Sequence, residues 1–499
     1  MTHLPTDSSA ESLFERLKLN GLVKPELFID GCWQPASDGK QFDVINPATG
    51  EVLIAVADAS LEDAEKAVVA ATRAQQQWAD TTAPERAKRL AKWFSLLVLH
   101  REDLAALLTL EQGKPLKEAL GEVDYGAAYI NWFAGEAVRI YGDIIPAKAL
   151  DFSCRVIKKP VGVVAAITPW NFPNAMLARK IAPALAAGCA LILKPAAETP
   201  LSALALAHLS QEAGIPDGLI NVLPSRSSKE LGQFFCKDNR IKKITFTGST
   251  AVGKTLIEQG AATVKRMSLE LGGNAPFVIF ADAQIEAAVT GAIASKFRNA
   301  GQTCVCANRF YVERSVVDRV VEELIAKIKE LKIGNGLDEG TKIGPLITQD
   351  AIKKVDALVA EALNDGATLI YQADIPNELN GNFYPPKVLI DVDPSSRIVK
   401  EEIFGPVVSV IAFDTEEQVI QMVNDSPFGL AGYVYTEDRR RLARLPNLID
   451  VGLLGLNTGL VSNEMAPFGG VKESGWGREG SKYGLDDYLS LVAVTESFT

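Results

Sequence analysis

Residues 161–168 read VGVVAAIT, an apolar and largely β-branched run without polar alternation. Such a run predicts a strand covered on both faces, as in a parallel sheet. The pattern then switches regularly between helical and extended periods. It predicts helix 174–187, strand 190–194, helix 202–213, strand 219–223, helix 229–236, strand 243–247, helix 252–260 and strand 266–269. Alternation at this spacing implies a doubly wound α/β sheet. Ligands of such sheets bind beyond the carboxyl ends of the strands, where this chain carries Pro169–Asn171, Lys194, Gly248 and Glu270.

Upstream the pattern is helical. Residues up to about Leu22 are polar and are expected to form a mobile arm, followed by a hairpin over 27–33 turning at Asp30-Gly31. Ser60 and Asp63 form a capping-box signature before an Ala-rich helix 61–78, and Pro84 opens further helix extending to near Ile140. Downstream of Gly272-Gly273, PFVIF (276–280) begins a second α/β series. It continues with helices 283–298, 316–331 and 352–365, strand 407–413 and helix 416–424. Segments 151–158 and 489–495 have strand composition but stand outside both series, and are expected to pair in a small sheet that bridges subunits.

At 499 residues, more than one domain is expected. The net charge of −11 leaves no basic surplus for phosphate backbones, so nucleic acid is not an expected partner. Six irregularly spaced cysteines do not make a disulfide framework, and a reducing, cytoplasmic setting is expected. The longest apolar stretch, 181–193, is shorter than the roughly 20 residues that span a bilayer and reads as core, so no membrane association is expected.

Two motif matches compete for the chemistry. GSTAVGKT (248–255) fits the P-loop pattern between a strand and a helix, which keeps an ATPase open as an alternative. That match lies deep inside a strand series already under way. It also reads as a helix N-terminus offered to a dinucleotide pyrophosphate. GWGREG (475–480) fits G-x-G-x-x-G but opens no βαβ unit, and reads as a mobile Gly-rich loop. Elsewhere FRNAGQTCVC (297–306) brings a glycine-containing approach to Cys304, a candidate nucleophile once its proton is removed. The three histidines lie outside every motif, so the base role falls to a carboxylate, and no metal site is expected.

PWNFP (169–173), FTGST (246–250), LELGG (269–273), GQTC (301–304) and EEIFGPV (401–407) occur in that order, with Glu270 34 residues before Cys304. Together they resemble the aldehyde dehydrogenase superfamily from about Phe28 to the C-terminal strand. The resemblance implies a Rossmann-type dinucleotide-binding domain (25–142 and 160–272) and an α/β catalytic domain (273–473). It also implies an oligomerisation sheet (143–159 and 486–499), with the arm over 1–24, and a homo-oligomer. By the same resemblance Cys304 is the nucleophile, Asn171 and the Cys304 N–H are oxyanion donors, and Glu270 is the base that activates water. It assigns the cofactor to Thr168, Trp170, Lys194, Ala197, Gly248, Ser249, Leu271, Glu402 and Phe404. The position where NAD-preferring members often carry Glu is Ala197 here, so NADP is expected ahead of NAD.

NAMLARK (174–180), LNTGLVSNE (456–464) and APFGGVKESGWGREGSKYG (466–484) resemble the succinate-semialdehyde branch of that family. This resemblance places Arg179, Arg298 and Ser462 on the substrate carboxylate, with Phe172 and Phe468 flanking its methylenes. Trp476 is expected near the substrate mouth, with glutarate semialdehyde a competing substrate. Cys306 is read as packing, with a strained disulfide to Cys304 as its alternative.

Overall fold

In the computed structural model, residues 10–498 are described. The first α/β series builds an eight-stranded sheet whose five parallel strands are Ile220–Val222, Ala190–Lys194, Val163–Ile167, Ile241–Thr247 and Arg266–Glu270, in that spatial order. Chain order across the sheet is therefore 3-2-1-4-5. The winding reverses between Val163–Ile167 and Ile241–Thr247, and the crevice beyond their carboxyl ends is where such folds bind ligands. Both edges are closed antiparallel. The predicted hairpin, Leu27–Ile29 with Cys32–Gln34, closes one through Phe28↔Val222. Gly475–Trp476 closes the other against Leu269 and Glu270.

That second edge corrects a sequence expectation. The GWGREG segment is not a mobile loop. Gly475 lies so close to the Leu269 carbonyl that a Cβ would collide with it, and Ser474 Oγ donates to the Gly272 carbonyl at 2.7 Å. The N-terminal expectation also changes. Ala10–Leu19 is a helix whose Leu13, Phe14 and Leu17 are buried, tied by Arg16 to Asp103 at 3.0 Å. The arm's residues 1–9 lie outside the described residues. Polar composition suggested mobility there, but three apolar residues on one face suffice to dock the helix.

The capping box forms as expected: Ser60 Oγ accepts from the Asp63 N–H, and Asp63 accepts from the Ser60 N–H, at the start of helix Leu61–Ala79. The second series builds a seven-stranded sheet in the order Thr368–Gln372, Lys387–Ile390, Val407–Phe413, Ala307–Glu313, Ala275–Ile279, Ala431–Tyr435, Leu453–Leu456. Each large sheet carries its own apolar core. Phe172, Ala175 and Met176 form a third, small cluster with Tyr125. Segments Phe152–Pro160 and Leu489–Ser497 pair antiparallel over their full length as expected, and Asp143–Ile145 adds a third strand.

Candidate active site

Helix Ile285–Lys296 ends at Phe297, and the chain then turns through Asn299 and Ala300 (φ 53° each) and Gly301 (φ 79°) before reaching Cys304. Three successive left-handed residues are costly, and only glycine adopts that region freely. The turn persists because its neighbours hold it. Gln302 Nε2 donates to the carbonyls of Asn299 and Pro345, while its Oε1 accepts from the Ile347 N–H at 2.9 Å. Tyr433 OH donates to the Val305 carbonyl at 2.8 Å. Gly301 and Gly273 allow the approach, since a Cβ on either would strike the carbonyl oxygen of Gly405 or Cys304.

Asn171 is fixed from several sides. Its carbonyl accepts from Lys114 Nζ at 2.8 Å and Asn299 Nδ2 at 3.0 Å, and its own Nδ2 donates to the Gln302 carbonyl at 3.1 Å. Lys114 is buried and paired with buried Glu122 at 2.5 Å; Glu122 in turn accepts from the first-turn N–H groups of Asn174 and Ala175. Sequence reasoning missed Lys114, Glu122 and Asn299. Lys114 and Glu122 stand eight residues apart across Pro115 and match no periodic pairing.

Two cavities meet at Cys304 and Met176. The first, about 290 Å³, lies at the reversal point of the eight-stranded sheet. Trp170, Gly248, Ser249, Leu271, Glu402 and Phe404 line it, as expected of cofactor residues. Trp170 and Phe404 meet edge to face at 5.5 Å. Ser249 caps helix Thr250–Gly260, whose first-turn amides are donors without helical partners. The residues fit a dinucleotide: Gly272 leaves open the space beside Glu402, where a Cβ would sit 3.4 Å from the Glu402 carboxylate. Thr168, Lys194 and Ala197 do not line this cavity. Thr168 N–H donates to the Lys194 carbonyl at 3.2 Å, so they continue the same carboxyl edge one strand further. Burial lowers the Lys194 ammonium to about 8, against the opposing influence of Glu198 and Asp58. Burial raises Glu402 to about 7.

The P-loop alternative fails on geometry. Lys254 is exposed and paired with Glu473 at 2.8 Å, and Thr255 Oγ1 donates back to the Ala251 carbonyl.

The second cavity, about 320 Å³, is lined by all five expected substrate residues: Phe172, Arg179, Arg298, Ser462 and Phe468. Arg179 is buried, its Cζ 3.9 Å from the Phe468 ring centroid, and its Nη2 has no partner. Arg298 lies over Phe172 at 5.1 Å. Trp476, expected near the mouth, is instead fixed at the sheet edge, its Nε1 donating to the Met267 carbonyl at 3.1 Å. Backbone pairing with Leu269 turns it away from the cavity.

Burial pushes the Cys304 thiol up to about 12, opposed by Arg179 and Arg298. Burial, reinforced by Glu479, raises the Glu270 carboxyl well above its ordinary range, with Arg179, Lys180 and Arg478 opposing. One Glu270 oxygen, Oε2, has no partner. Cys306 is buried and unpaired, its Sγ directed at the carbonyls of Lys296 and Ala307.

A crevice at the reversal point of the sheet and a cavity bearing two guanidiniums thus meet at one cysteine. Residues 33–494 match the family described as aldehyde dehydrogenase, and the chain belongs to that family. It is 50% identical over 477 residues to an NADP-dependent succinate-semialdehyde dehydrogenase of Escherichia coli, covering 95% of this chain and 98% of that one. A glutarate-semialdehyde dehydrogenase of Pseudomonas aeruginosa (49%, 95% and 98% covered) and a 3-sulfolactaldehyde dehydrogenase of Pseudomonas putida (49%, 96% and 98%) are similarly close. Among solved structures, an aldehyde dehydrogenase of Brucella melitensis biovar abortus superposes with TM-score 0.94 at 50% identity, covering 96% of this chain and 98% of that one. A betaine aldehyde dehydrogenase of Staphylococcus aureus in complex with NAD+ superposes at 0.95 with 36% identity, covering 98% of each. The enzyme is a nicotinamide-dinucleotide-dependent oxidoreductase of aldehydes. Among the described residues no helix is long and apolar enough to cross a membrane.

Proposed function

We propose that this enzyme oxidises short aldehydes carrying an anionic group at the far end, with succinate semialdehyde favoured and NADP the preferred cofactor. The observation that carries the reading is the cavity beside Cys304. It presents the unpartnered Nη2 of Arg179, the Arg298 guanidinium, which has no ion pair among the described residues, and Ser462 between aromatic walls. Guanidinium pairs suit a carboxylate, and the rings suit a short methylene chain. The relatives named for succinate, glutarate and sulfolactaldehyde substrates support a terminal anion as the common requirement.

The chemistry assigned to the chain's own residues is as follows. Cys304 loses its proton to solvent water and its thiolate adds to the aldehyde carbon, so that negative charge develops on the former carbonyl oxygen. Asn171 Nδ2 and the Cys304 N–H are the donors assigned to that oxygen. When bound, the nicotinamide accepts the hydride that leaves the same carbon. A thioester then remains on Cys304. Glu270, as carboxylate, takes a proton from water; the resulting hydroxide attacks the thioester, the C–S bond breaks, and the acid leaves with the thiolate restored.

Ala197 supports NADP, because it leaves room beside Lys194 for a 2′-phosphate; exposed Glu198 next to it is the opposing charge. The domain roles we assign are 25–142 and 160–272 for the dinucleotide, 273–473 for catalysis, and 143–159 with 486–499 for assembly into a homo-oligomer. Six unpaired cysteines support a cytoplasmic setting. The test is kcat/KM for succinate semialdehyde, glutarate semialdehyde and an uncharged aldehyde of equal length, with NADP and with NAD. One methylene is worth about 1–3 kcal/mol in such a cavity, so the two semialdehydes will separate measurably. Arg298→Ala is expected to raise KM at least tenfold for the semialdehyde and little for the uncharged aldehyde. Equal effects on both overturn the substrate reading, and a strong NAD preference overturns the cofactor reading.

A further inference from the structure

Helix Pro173–Ala187 is buried at every residue, yet carries two consecutive cations, Arg179 and Lys180. Buried charges require partners, and both share one. Glu479 Oε2 lies 2.7 Å from Arg179 Nε, and Glu479 Oε1 lies 2.5 Å from Lys180 Nζ. Glu479 is itself paired by backbone with Phe468: each N–H donates to the other's carbonyl at 2.8 Å. That one residue pair therefore supplies both the carboxylate that grips the Nε edge of Arg179 and the ring that covers its face at 3.9 Å. Nη1 points to Met176 Sδ at 3.7 Å, and Met176 borders both cavities. Nη2 is buried with neither a hydrogen bond nor an ion pair, whereas Nε, also without an aligned hydrogen bond, is held against Glu479 Oε2 as an ion pair.

We infer that Glu479 is a positioning residue for aldehydes bearing a terminal anion: with Phe468 it clamps Arg179 so that the free Nη2 meets the substrate's anionic group. The inference rests on the semialdehyde reading above. The competing acceptor for a released guanidinium is Glu270, whose Oε2 is unpartnered and which already feels the Arg179 charge. Without Glu479, Arg179 swings towards Glu270 and is lost to the substrate. The clamp thus keeps the substrate-binding cation and the carboxylate that activates water apart.

The test is the ratio of kcat/KM for succinate semialdehyde to that for butanal, whatever happens to the two rates separately. It is measured in the wild type, Glu479→Gln, Arg179→Ala and the double variant. The clamp predicts that Glu479→Gln lowers the ratio at least tenfold in the wild-type background and leaves it unchanged in the Arg179→Ala background. Glu479→Gln is also expected to move the acid limb of kcat to lower pH. The groups facing Glu270 are Glu479, Arg179, Lys180, Arg478 and Cys304, and the variant removes the anion among the acids while bringing a cation closer. If Arg179→Ala lowers the ratio and Glu479→Gln does not, the clamp is overturned and the semialdehyde reading stands. If Arg179→Ala leaves the ratio unchanged, that reading falls and takes the clamp with it. Should Glu479→Gln not fold, Glu479→Asp and Phe468→Leu each loosen one side of the clamp. Each must lower the same ratio, and an unchanged ratio in both overturns the inference.

Discussion

Burial pushes the Cys304 thiol up to about 12 and raises the Glu270 carboxyl well above its ordinary range, disfavouring the charged form of each. Both steps assigned to them need the deprotonated form. The thiolate fraction grows as the pH climbs towards the Cys304 value of about 12, so kcat/KM is expected to rise from pH 7 to pH 9; a profile that falls over that interval contradicts the assignment. The two residues separate kinetically. Cys304→Ser removes the nucleophile and is expected to abolish aldehyde oxidation while leaving dinucleotide affinity, read by quenching of protein fluorescence, within about threefold. Glu270→Gln leaves the first half of the reaction intact. It is expected to give a stoichiometric burst of reduced cofactor followed by a turnover slowed about a hundredfold or more, since general-base contributions are about that size. A Glu270→Gln enzyme that turns over without a burst shows that another group activates the water.

At the scale of elements, the nucleophile stands on a turn that the sequence disguised. FRNAGQTC reads as a helix end followed by a flexible approach, yet Asn299 and Ala300 are held left-handed by contacts from Gln302, Pro345 and Ile347. Gln302 is near in sequence, but Pro345 and Ile347, which anchor its side chain, lie 43 and 45 residues further on, so no local pattern announces them. Gly301 is the exception, since its φ of 79° and its approach to Gly405 both require glycine. Gly301→Ala adds roughly 1–2 kcal/mol of backbone strain plus a collision with the Gly405 carbonyl. It is expected to lower Tm by several degrees and kcat at least tenfold; a variant with wild-type Tm and kcat refutes the constraint. The same contrast holds across the fold. The strands of the first series were legible because continuous apolar runs between helices have one plausible placement. The strands Ala307–Glu313, Ala431–Tyr435 and Leu453–Leu456 were not singled out, because charged, glycine-rich or short runs become strands only by pairing in the seven-stranded sheet. The resemblance places Arg179 on the substrate carboxylate, but nothing local links Arg179 or Lys180 to Glu479, about three hundred residues away.

At the scale of the whole molecule, the small sheet outside both series keeps open apolar edges among the described residues. The three-stranded sheet ends in the nine-residue strand Leu489–Ser497 on one edge and Asp143–Ile145 on the other. Ile144 and Leu491 are 91% and 69% exposed, with Leu150 and Phe498 also open. A long apolar edge of this kind invites pairing, and a second copy of the chain is the occupant expected from the resemblance stated above. The strand is also wired to the active site. Arg266 Nη1 donates to the Leu489 carbonyl at 2.6 Å, and Ser268 Oγ, two residues before Glu270, donates to Asp487, just ahead of the strand, at 2.7 Å. The segment between these anchors and the sheet edge carries Glu479. If the edge pairs with a second copy, separating the copies loosens the segment that carries Glu479, and semialdehyde affinity is expected to fall with assembly. Leu491→Asp combined with Ile144→Asp is expected to shift elution in size exclusion to a smaller species and to raise KM for the semialdehyde several-fold. A wild-type protein that elutes as a monomer removes the premise. A dissociated double variant with unchanged KM shows instead that the contacts of Leu489 with Arg266 and of Asp487 with Ser268 hold the site without help from a neighbour.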